Sequence, residues 1–512
     1  MKFIIGKNRA TYRLTDPLEK LVCADNVVRR IELFVEGIEL SPLGFKMDFS
    51  ENGRPAYHPK ALLKLFIYGY LNSIRSSRVL EKECSGNIEV MWLMEALKPD
   101  HNTISNFRRD NSKGIGRVFE QTVKLAADFD LIGADLIAGD STKLRAQNSK
   151  KNNFNEKKIS RHLERINNEL ASYEKDLAEA DGDKKVQIEA KIKRQQVRKT
   201  GYEAMSDQLK ASGDTQISTC DPESRLLITR NNITEVGYNV QTSVDAKNNL
   251  LIDFKVTNEN DSNAMGAMLR RAKIILKTNG FTALYDKGYH TGSQFEYAQK
   301  LGIKVLVSIP AVSSHAPDPA YDVENFSYNQ EQDRYVCPAK ELLTTNGRSY
   351  TKSKGKSNIQ VKHYKTSACL SCAFLAKCTQ NKAGRLIERS EYAAVIGANK
   401  ARMEENLPLY LRRQAIVEHP YGILKRQWGF YYIMTKKTIK RATADVGLMA
   451  IAFNLCRIFN ILEPKVLENR LKRLFSIFWT LMPDFAPFYR RYFVFFKVTH
   501  PKGAAHHGLI YP

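Results

Sequence analysis

The chain has 512 residues, 43% of them hydrophobic, which is enough for about three domains with a sizeable core. Lys and Arg exceed Asp and Glu by 24, far more than solubility requires, so the charge indicates a polyanionic partner such as DNA, with a membrane surface as the alternative. We find no secretory signal, no run of about 20 apolar residues and no disulfide scaffold. We therefore expect a cytoplasmic, nucleoid-associated protein without a membrane partner.

Residues 1–130 are predicted to form an all-helical DNA-binding domain. Apolar residues recur at helical spacing after Pro59, and further helices are expected at 77–84, 88–97 and 115–129. Between them, PDHNTISNFRRDN predicts a short helix, capped by Asp100 or Asn102, whose small polar and Arg side chains suit a helix-turn-helix reader of DNA. We expect Arg108 and Arg109 to contact DNA, and an ordinary surface helix is the alternative.

Strands that alternate with helices then predict an α/β core in three parts, at 131–154, 213–310 and 396–465. Two inserts interrupt this core. Residues 155–212 predict a helical hairpin with a heptad seam, either a functional arm or a solvated spacer, and residues 311–395 predict a Cys-rich β insert. Residues 466–512 form an aromatic-rich tail, which we expect to pack against the core or a partner chain.

Three acidic residues stand at positions that suit metal chemistry. The apolar runs DLIAGD and FTALYD end at Asp140 and Asp286, and Glu418 lies within the basic stretch YLRRQAIVEHPYGILKRQWGF. Two strand-borne Asp and one helix-borne Glu supply the hard oxygen ligands that a two-Mg²⁺ phosphoryl-transfer site requires, whereas a surface ion pair is the plain alternative for Glu418. Other acids are expected to be structural or to support the ligands, namely Asp135, Asp221, Asp245 and Asp261. The histidines that flank the acids, His290 and His419, are expected to pack rather than to orient a ligand.

Four cysteines cluster in the second insert with the spacing C-x31-C-x2-C-x5-C. They are Cys337, Cys369, Cys372 and Cys378. This set predicts a closed, structural Zn²⁺ site with four thiolate ligands, and free thiols in a small β insert are the alternative.

With these stretches placed, the chain resembles bacterial insertion-sequence transposases of the DDE class, and in particular the group called eleven-eighty-two. The resemblance runs from about Asp16 to Ile461 and is carried, in order, by NTISNFRR, GDST, GYNVQTSVD with VTNEND, YDKGYHTG, CLSCAFLAKC and VEHPYGILK with WGF. It implies an RNase H-like catalytic core with Asp140 on the first strand, Asp286 after the fourth and Glu418 on a helix. It further implies two Mg²⁺ or Mn²⁺ ions per site, and double-stranded DNA, as terminal repeats and target, for the partner. We expect a homodimer on DNA.

Related transposases carry a Tyr, Arg, Glu, Lys signature on the last helix of the core. Three of its positions are matched here, by Tyr410, Glu418 and Lys425. The Arg position falls on Gln414, and we assign the role to the adjacent Arg413, which with Lys425 would hold phosphates. Glu418 and Lys425 are two helical turns apart and should share a face, and Pro420 should kink the helix just beyond Glu418.

Two other functions fit the same residues. One is a metal-dependent nuclease that does not transfer strands, and the other is a catalytically inactive DNA-binding descendant. All three acids lie in intact motifs, which argues against the inactive descendant.

Overall fold

The computed structural model describes residues 16–45, 47, 55–229, 233–278, 280–311, 315–354, 357–469 and 471. The predicted α/β class is confirmed. Residues 470 and 472–512 of the aromatic-rich tail predicted at 466–512 lie outside the described residues. The described helices are α1 (Leu18–Leu21), α2 (Val27–Glu36), α3 (Pro59–Leu71), α4 (Ser77–Gly86), α5 (Ile88–Leu93), α6 (His101–Asp110), α7 (Ser112–Asp128), α8 (Glu156–Ala178), α9 (Asp183–Ser212), α10 (Met265–Leu276), α11 (Gly292–Lys300), α12 (Leu375–Cys378), α13 (Ala393–Glu405), α14 (Leu407–Tyr421) and α15 (Ile439–Ile461). The described strands are β1 (Leu136–Arg145), β2 (Asn153–Phe154), β3 (Ile217–Ser218), β4 (Arg225–Ile228), β5 (Thr234–Asp245), β6 (Leu251–Thr257), β7 (Thr282–Tyr285), β8 (Lys304–Val307), β9 (Ser327–Asn329), β10 (Arg334–Val336), β11 (Leu342–Leu343), β12 (Ser349–Lys354), β13 (Ser357–Tyr364) and β14 (Ile387–Ser390).

The central sheet has six strands. Along it β5, β1, β7 and β8 are neighbours in that order, and both β4 and β6 pair with the outer edge of β5. β1 is antiparallel to β5 but parallel to β7, which is in turn parallel to β8. β5 and β6 form a hairpin whose turn includes Asn249 at a left-handed φ of 55°. Four strands, β4, β6, β5 and β1, therefore pair antiparallel, and β7 and β8 continue the sheet parallel to β1.

Helix α15 is the centre of the hydrophobic core. It packs against α3, α6 and α7 on one side and against β6 on the other. By length and composition alone it could cross a membrane, but 83% of its apolar window is buried inside the protein. The N-terminal helices and the sheet share one continuous core, so the domain boundary predicted at residue 130 does not separate two cores.

A buried polar network fixes α15 to the N-terminal helices. Asp445, fully buried on α15, accepts hydrogen bonds from the Tyr70 hydroxyl and from the Met434 N–H, the latter at 2.7 Å. The guanidinium groups of Arg75 and Arg108 lie 3.5 and 3.6 Å from its carboxylate. Arg108 is only 4% exposed, which corrects the prediction that it contacts DNA. Removing one member of such a network would leave a buried charge without compensation.

Both inserts form compact units of their own. Helices α8 and α9 pack against each other, and Phe154, Ile159 and Leu209 form a small cluster at their base. The Cys-rich insert contains two three-stranded sheets, β9–β11 and β12–β14. Its own small core consists of Phe326, Tyr335, Leu343, Tyr364 and Ile387.

At Gly139 the packing of the sheet excludes a side chain. A Cβ added to Gly139, on β1, would lie 2.0 Å from the ring of buried Tyr285 on the neighbouring strand. We expect Gly139→Ala to lower the free energy of unfolding by about 3 kcal/mol, because the ring has no free space into which to move. Thermal unfolding of the full-length protein measures this.

The matched control is Gly201→Ala, the same change on α9, where an added Cβ meets no atom within 4 Å. It should leave stability unchanged or raise it by up to about 1 kcal/mol, since Ala favours helix over Gly. Equal melting temperatures for the two variants would contradict the packing argument.

Candidate active site

The register of two parallel strands brings Asp140 and Asp286 together. Ala138 on β1 is paired with Leu284 on β7, and the two aspartates lie two residues further along their strands. Neighbouring strands are about 4.8 Å apart, so the carboxylates lie at the same level of the sheet. The Oδ1 of Asp286 also accepts the Gly288 N–H at 2.8 Å, which starts the turn that follows β7.

Arg413 compensates part of the negative charge of this pair. Its guanidinium donates to the Oδ2 of Asp140 at 3.3 Å, while the Ser141 N–H donates to Oδ1 at 2.7 Å. Burial raises the pKa of Asp140 above its ordinary value and the Asp286 carboxylate raises it further, whereas Arg413 and Ser141 oppose the rise. Two carboxylates share one cation here, which is an arrangement that favours a further positive charge.

Helix α14 packs against β1, β5 and β7 and contacts Asp140 through Arg413. The hydroxyls of Tyr421 and Thr242 are hydrogen-bonded at 2.6 Å, and Thr242 on β5 is the cross-strand partner of Asp140. Tyr410 lies about one turn before Arg413 and is partly buried. The helix therefore carries Tyr410, Arg413 and Tyr421 along the side that faces the strand.

Glu418 lies on a different side of this helix. It is exposed, and its Oε1 accepts a hydrogen bond from the Gln414 amide at 2.9 Å. Within the part of the chain that the structure describes, no three His, Cys, Asp or Glu side chains are close enough to hold a metal ion as they stand. The structure thus brings together two of the three predicted ligands, with Arg413, and leaves Glu418 apart from them.

The helix does not end at Pro420. Regular α-helix continues to Tyr421 and is followed by a π-helical turn at Gly422–Gln427. Such wider turns are rare and occur frequently at functional sites. Lys425 lies in this turn, and its Nζ donates to the Lys143 carbonyl on β1 at 3.1 Å. The turn is wider than an α-helical turn. The prediction that Glu418 and Lys425 share a helix face assumed regular α-helical spacing, so it does not apply across this turn.

A fourth carboxylate lies beside the aspartate pair. The Oδ2 of Asp261 accepts from Lys143 Nζ at 3.1 Å, and its Oδ1 accepts from the side-chain amides of Asn239 and Gln241, both at 2.7 Å. A Cβ placed on Gly288 would lie 3.0 Å from Asp286 Oδ1 and 3.8 Å from Asp261 Oδ2. No feature of the sequence separated Asp261 from the other supporting acids.

The remaining acids and histidines have structural surroundings. Asp245 accepts from the N–H groups of Gly133, Ala134 and Lys247, and Asp221 accepts from the Tyr238 hydroxyl. Asp135 is exposed at the start of β1. The rings of His290 and His419 pack edge-on against Phe295 and Phe453, respectively.

The four clustered cysteines converge on one small cavity, which Tyr321 and Phe374 also line. They are unpaired thiols, and Cys337 Sγ accepts the Glu341 N–H at 3.3 Å. Burial raises the pKa of Cys378, and the three other cysteines raise it further against the effect of Arg385. The four cysteines thus line one cavity, although no three of them are close enough to hold a metal ion as they stand.

Two domain models match the chain. One, described as a transposase domain (DUF772), matches residues 16–110, and the other, described as a transposase DDE domain, matches residues 336–459. The chain is a DDE transposase. Enzymes of this family cut DNA and transfer its strands with divalent metal ions. The second match includes Glu418 and the four cysteines.

No curated protein gives a significant sequence match to the transposase. Among solved structures, the piggyBac transposase synaptic complex with hairpin DNA, determined by cryo-EM, is 11% identical to it. That alignment covers 95% of this chain and 85% of the other, with a TM-score of 0.31. The family assignment therefore rests on the two domain models.

The exposed side of α6 remains available to DNA in the transposase. Asp100 caps the helix through hydrogen bonds from the N–H groups of Asn102 and Thr103, as the sequence predicts. Asn102, Ser105, Asn106 and Arg109 are exposed. Arg109 is paired with the adjacent Asp110 at 2.6 Å, an exposed contact that contributes little to stability.

The role of Arg413 can be tested without measuring catalysis. In metal-free buffer, we expect Arg413→Gln to lower the free energy of unfolding by about 1–2 kcal/mol, because Asp140 loses its guanidinium partner. Added Mn²⁺ should raise the melting temperature of this variant more than that of the wild type. Arg412→Gln, which removes the neighbouring exposed guanidinium, is the control and should behave like the wild type. If both variants responded to Mn²⁺ as the wild type does, Arg413 would not compensate the aspartate pair.

Proposed function

We propose that Asp140, Asp286 and Glu418 hold two Mg²⁺ or Mn²⁺ ions, with which the transposase cuts the ends of its insertion sequence and joins them to target DNA. The observation that carries this proposal is the aspartate pair, set side by side by strand register and only partly neutralised by Arg413. Carboxylate oxygens are the ligands that Mg²⁺ prefers. When bound, the ions would activate a water or 3′-hydroxyl and stabilise the leaving oxygen.

We further propose that the sheet is an RNase H-like core and that the transposase belongs to the eleven-eighty-two group. The strand order supports the first of these proposals: three antiparallel strands, β6, β5 and β1, are followed by the parallel β7 and β8. The first Asp lies on the first strand of this set and the second follows the fourth, and α14 lies across them.

Glu418 is the third proposed ligand, although in this structure its carboxylate accepts a hydrogen bond from the Gln414 side chain. This is one hydrogen bond at the protein surface, worth about 1 kcal/mol. Exchange of that bond for a divalent cation would cost little. The adjacent π-helical turn gives this part of the helix a backbone geometry that departs from the regular α-helix.

The proposed partner is double-stranded DNA, both the terminal repeats and the target, bound by a homodimer on the nucleoid in the cytoplasm. Arg413 and Lys425 hold phosphates of the end that is cut, and Tyr410 lies on the same helix. Arg109 on the exposed side of α6 contacts DNA further away. Phosphate contacts of this kind fix the position of the duplex and do not read its sequence.

Substitution of the proposed ligands tests the site. We expect Asp140→Asn, Asp286→Asn and Glu418→Gln each to reduce cleavage of a cloned element end by about 10³-fold or more, because each removes metal-dependent stabilisation worth several kcal/mol. Affinity for the duplex should stay within a few-fold of wild type. The control is Asp135→Asn, which changes the acidic residue directly before β1. This variant should cleave the element end as the wild type does.

Comparable cleavage by any of the three variants would remove that residue from the site. The products distinguish the competing functions. Strand-joined products with wild-type protein and Mg²⁺ identify a transposase reaction, whereas cleavage alone would identify a nuclease.

We also propose that Cys337, Cys369, Cys372 and Cys378 hold one structural Zn²⁺ ion. Their convergence on one cavity and the N–H donated to Cys337 Sγ support this, since backbone N–H groups stabilise thiolates. The insert has a small core of its own, so zinc would add to packing rather than replace it. Soft thiolates and hard carboxylates select different ions, which keeps this site separate from the catalytic one.

Elemental analysis tests the zinc proposal. Purified protein should contain about one zinc ion per chain, and Cys372→Ser should lose it and lower the protection of residues 315–395 in hydrogen exchange before the central sheet is affected. Cys220→Ser, at an exposed cysteine outside the cluster, should retain the metal. Metal-free, folded wild-type protein whose four clustered thiols react with a mild alkylating reagent would exclude the site.

A further inference from the structure

The segment between Glu418 and Asp445 has a composition unlike that of the rest of the chain. Its 26 residues contain six Lys or Arg and no Asp or Glu. Three of the cations lie together near its end, at Lys436, Lys437 and Lys440, and are called the lysine platform below. All three side chains are exposed, and within the described residues none forms a salt bridge. Their charge is therefore presented to solvent.

The backbone of the lysine platform is held in an unfavourable conformation. Lys437 and Thr438 are consecutive non-glycine residues with left-handed φ angles of 61° and 69°, and each costs about 1–2 kcal/mol. Two carboxylates fix them: Asp221 accepts the Thr438 N–H at 3.1 Å and Glu223 accepts the Ile439 N–H. Asp221 is itself only 2% exposed. Strain of this kind persists where the surroundings determine the conformation, and it is concentrated at functional sites.

The charge pattern is also unfavourable for the helix that follows. Lys440 lies in the first turn of α15, where the helix dipole disfavours positive charge, and that turn contains no acidic residue. The carboxylates of Asp221 and Glu223 reach the backbone of this end. The three lysine side chains form no salt bridge within the described residues, although Lys440 lies within electrostatic range of Asp110. Selection for stability alone does not account for cations at these positions.

The segment is attached at one end to the strand of the aspartate pair. The Arg145 N–H donates to the Tyr431 carbonyl at 3.0 Å, and the Ile433 N–H donates to the Arg145 carbonyl at 2.7 Å. Arg145 is five residues beyond Asp140 on β1, which at 3.3 Å per residue is about 16 Å. That distance corresponds to about five base pairs of duplex.

The segment is also attached to the N-terminal helices. The Ser112 hydroxyl donates to the Lys440 carbonyl at 2.5 Å, and Ser112 begins α7 two residues after α6 ends. The Arg75 guanidinium donates to the Tyr432 carbonyl at 2.8 Å and stacks on the Phe430 ring at 4.4 Å. The lysine platform thus lies between the catalytic strand and the helix that carries Arg109.

We propose that the lysine platform binds the sugar-phosphate backbone of the DNA duplex, on the part that extends from the bond that is cut towards α6. The proposal rests on the function proposed above, because that function supplies the duplex. Exposed ammonium groups on a fixed turn act as point charges for phosphates and do not distinguish bases. Anionic lipid is the competing ligand, but the position between the aspartate pair and α6 favours a linear polyanion that reaches both.

The test compares two full-length variants that lose the same charge. One is Lys436→Gln/Lys437→Gln/Lys440→Gln, and the other is Lys175→Gln/Lys184→Gln/Lys185→Gln, at exposed lysines near the tip of the α8–α9 hairpin. Affinity for an element-end duplex is measured by fluorescence anisotropy between 50 and 300 mM salt. Each lost phosphate contact lowers the slope of log K against log salt by about 0.9, so the platform variant should lose a slope of about 2–3. The hairpin variant should keep the wild-type slope.

A Lys→Arg version of the platform variant should restore the slope, which separates charge from misfolding, and unchanged melting temperatures check the fold. Hydroxyl-radical footprinting should show that the platform variant loses protection of backbone positions to one side of the cleavage position, while the hairpin variant keeps it. An unchanged slope in the platform variant, or an equal loss in both Gln variants, would overturn the proposal. Loss of binding to phosphatidylserine vesicles with unchanged DNA affinity would also overturn it. Wild-type protein without measurable affinity for duplex would instead overturn the proposed function, and the platform with it.

Discussion

The repulsion between two carboxylates is the constraint around which the site is built. Parallel pairing of β1 with β7 leaves no freedom in where Asp140 and Asp286 lie, since both project from strands whose positions are fixed by buried neighbours. Repulsion between the two carboxylates lowers the stability of the folded protein, so stability alone does not explain why they lie together. Arg413 reduces the cost from the helix above, and the unneutralised remainder is electrostatic energy that a divalent cation can recover on binding. The site is thus prepared for a cation by the same sheet that gives the protein its stability.

Because α15 belongs to both halves of the core, the site and the N-terminal helices form a single mechanical body. Asp445 contacts Tyr70 on α3 and the Met434 backbone, which precedes α15 and follows the π-helical turn. A displacement of α6 would therefore reach the end of α14 through buried, close-packed contacts. Interiors packed at this density transmit displacement with little loss.

Sequence patterns predicted the parts of this structure that depend on local chemistry. The ends of two β-prone runs located the aspartates, and Asp100 was predicted as one of two possible caps of α6. Arg108 was misassigned although its spacing held the information: it lies four residues after buried Ile104 and next to buried Phe107, on the inner face of the helix. The position of Glu418 could not be obtained in this way, since it depends on how α14 is rotated above the sheet and on a π-helical turn that no sequence period predicts. The surroundings of Asp261 are formed by residues 20 and 22 positions away in sequence, and local sequence patterns do not predict such contacts.

The helical hairpin changes how the chain can fold. Its two ends meet in a short pair of strands, Asn153 with Ser218 and Phe154 with Ile217, and its helices contact mainly each other. β1 and β5, which are partners at the centre of the sheet, are separated in sequence by this whole insert. If α8 and α9 associate first, as local helical pairs do on the microsecond scale, the remaining loop between β1 and β5 is only a few tens of residues long. Since the entropy of loop closure grows with the logarithm of loop length, the hairpin acts as a clamp that shortens the search for the central strand pair. The distance in sequence between Asp140 and the strand beside it is thus much larger than the distance the folding chain has to close.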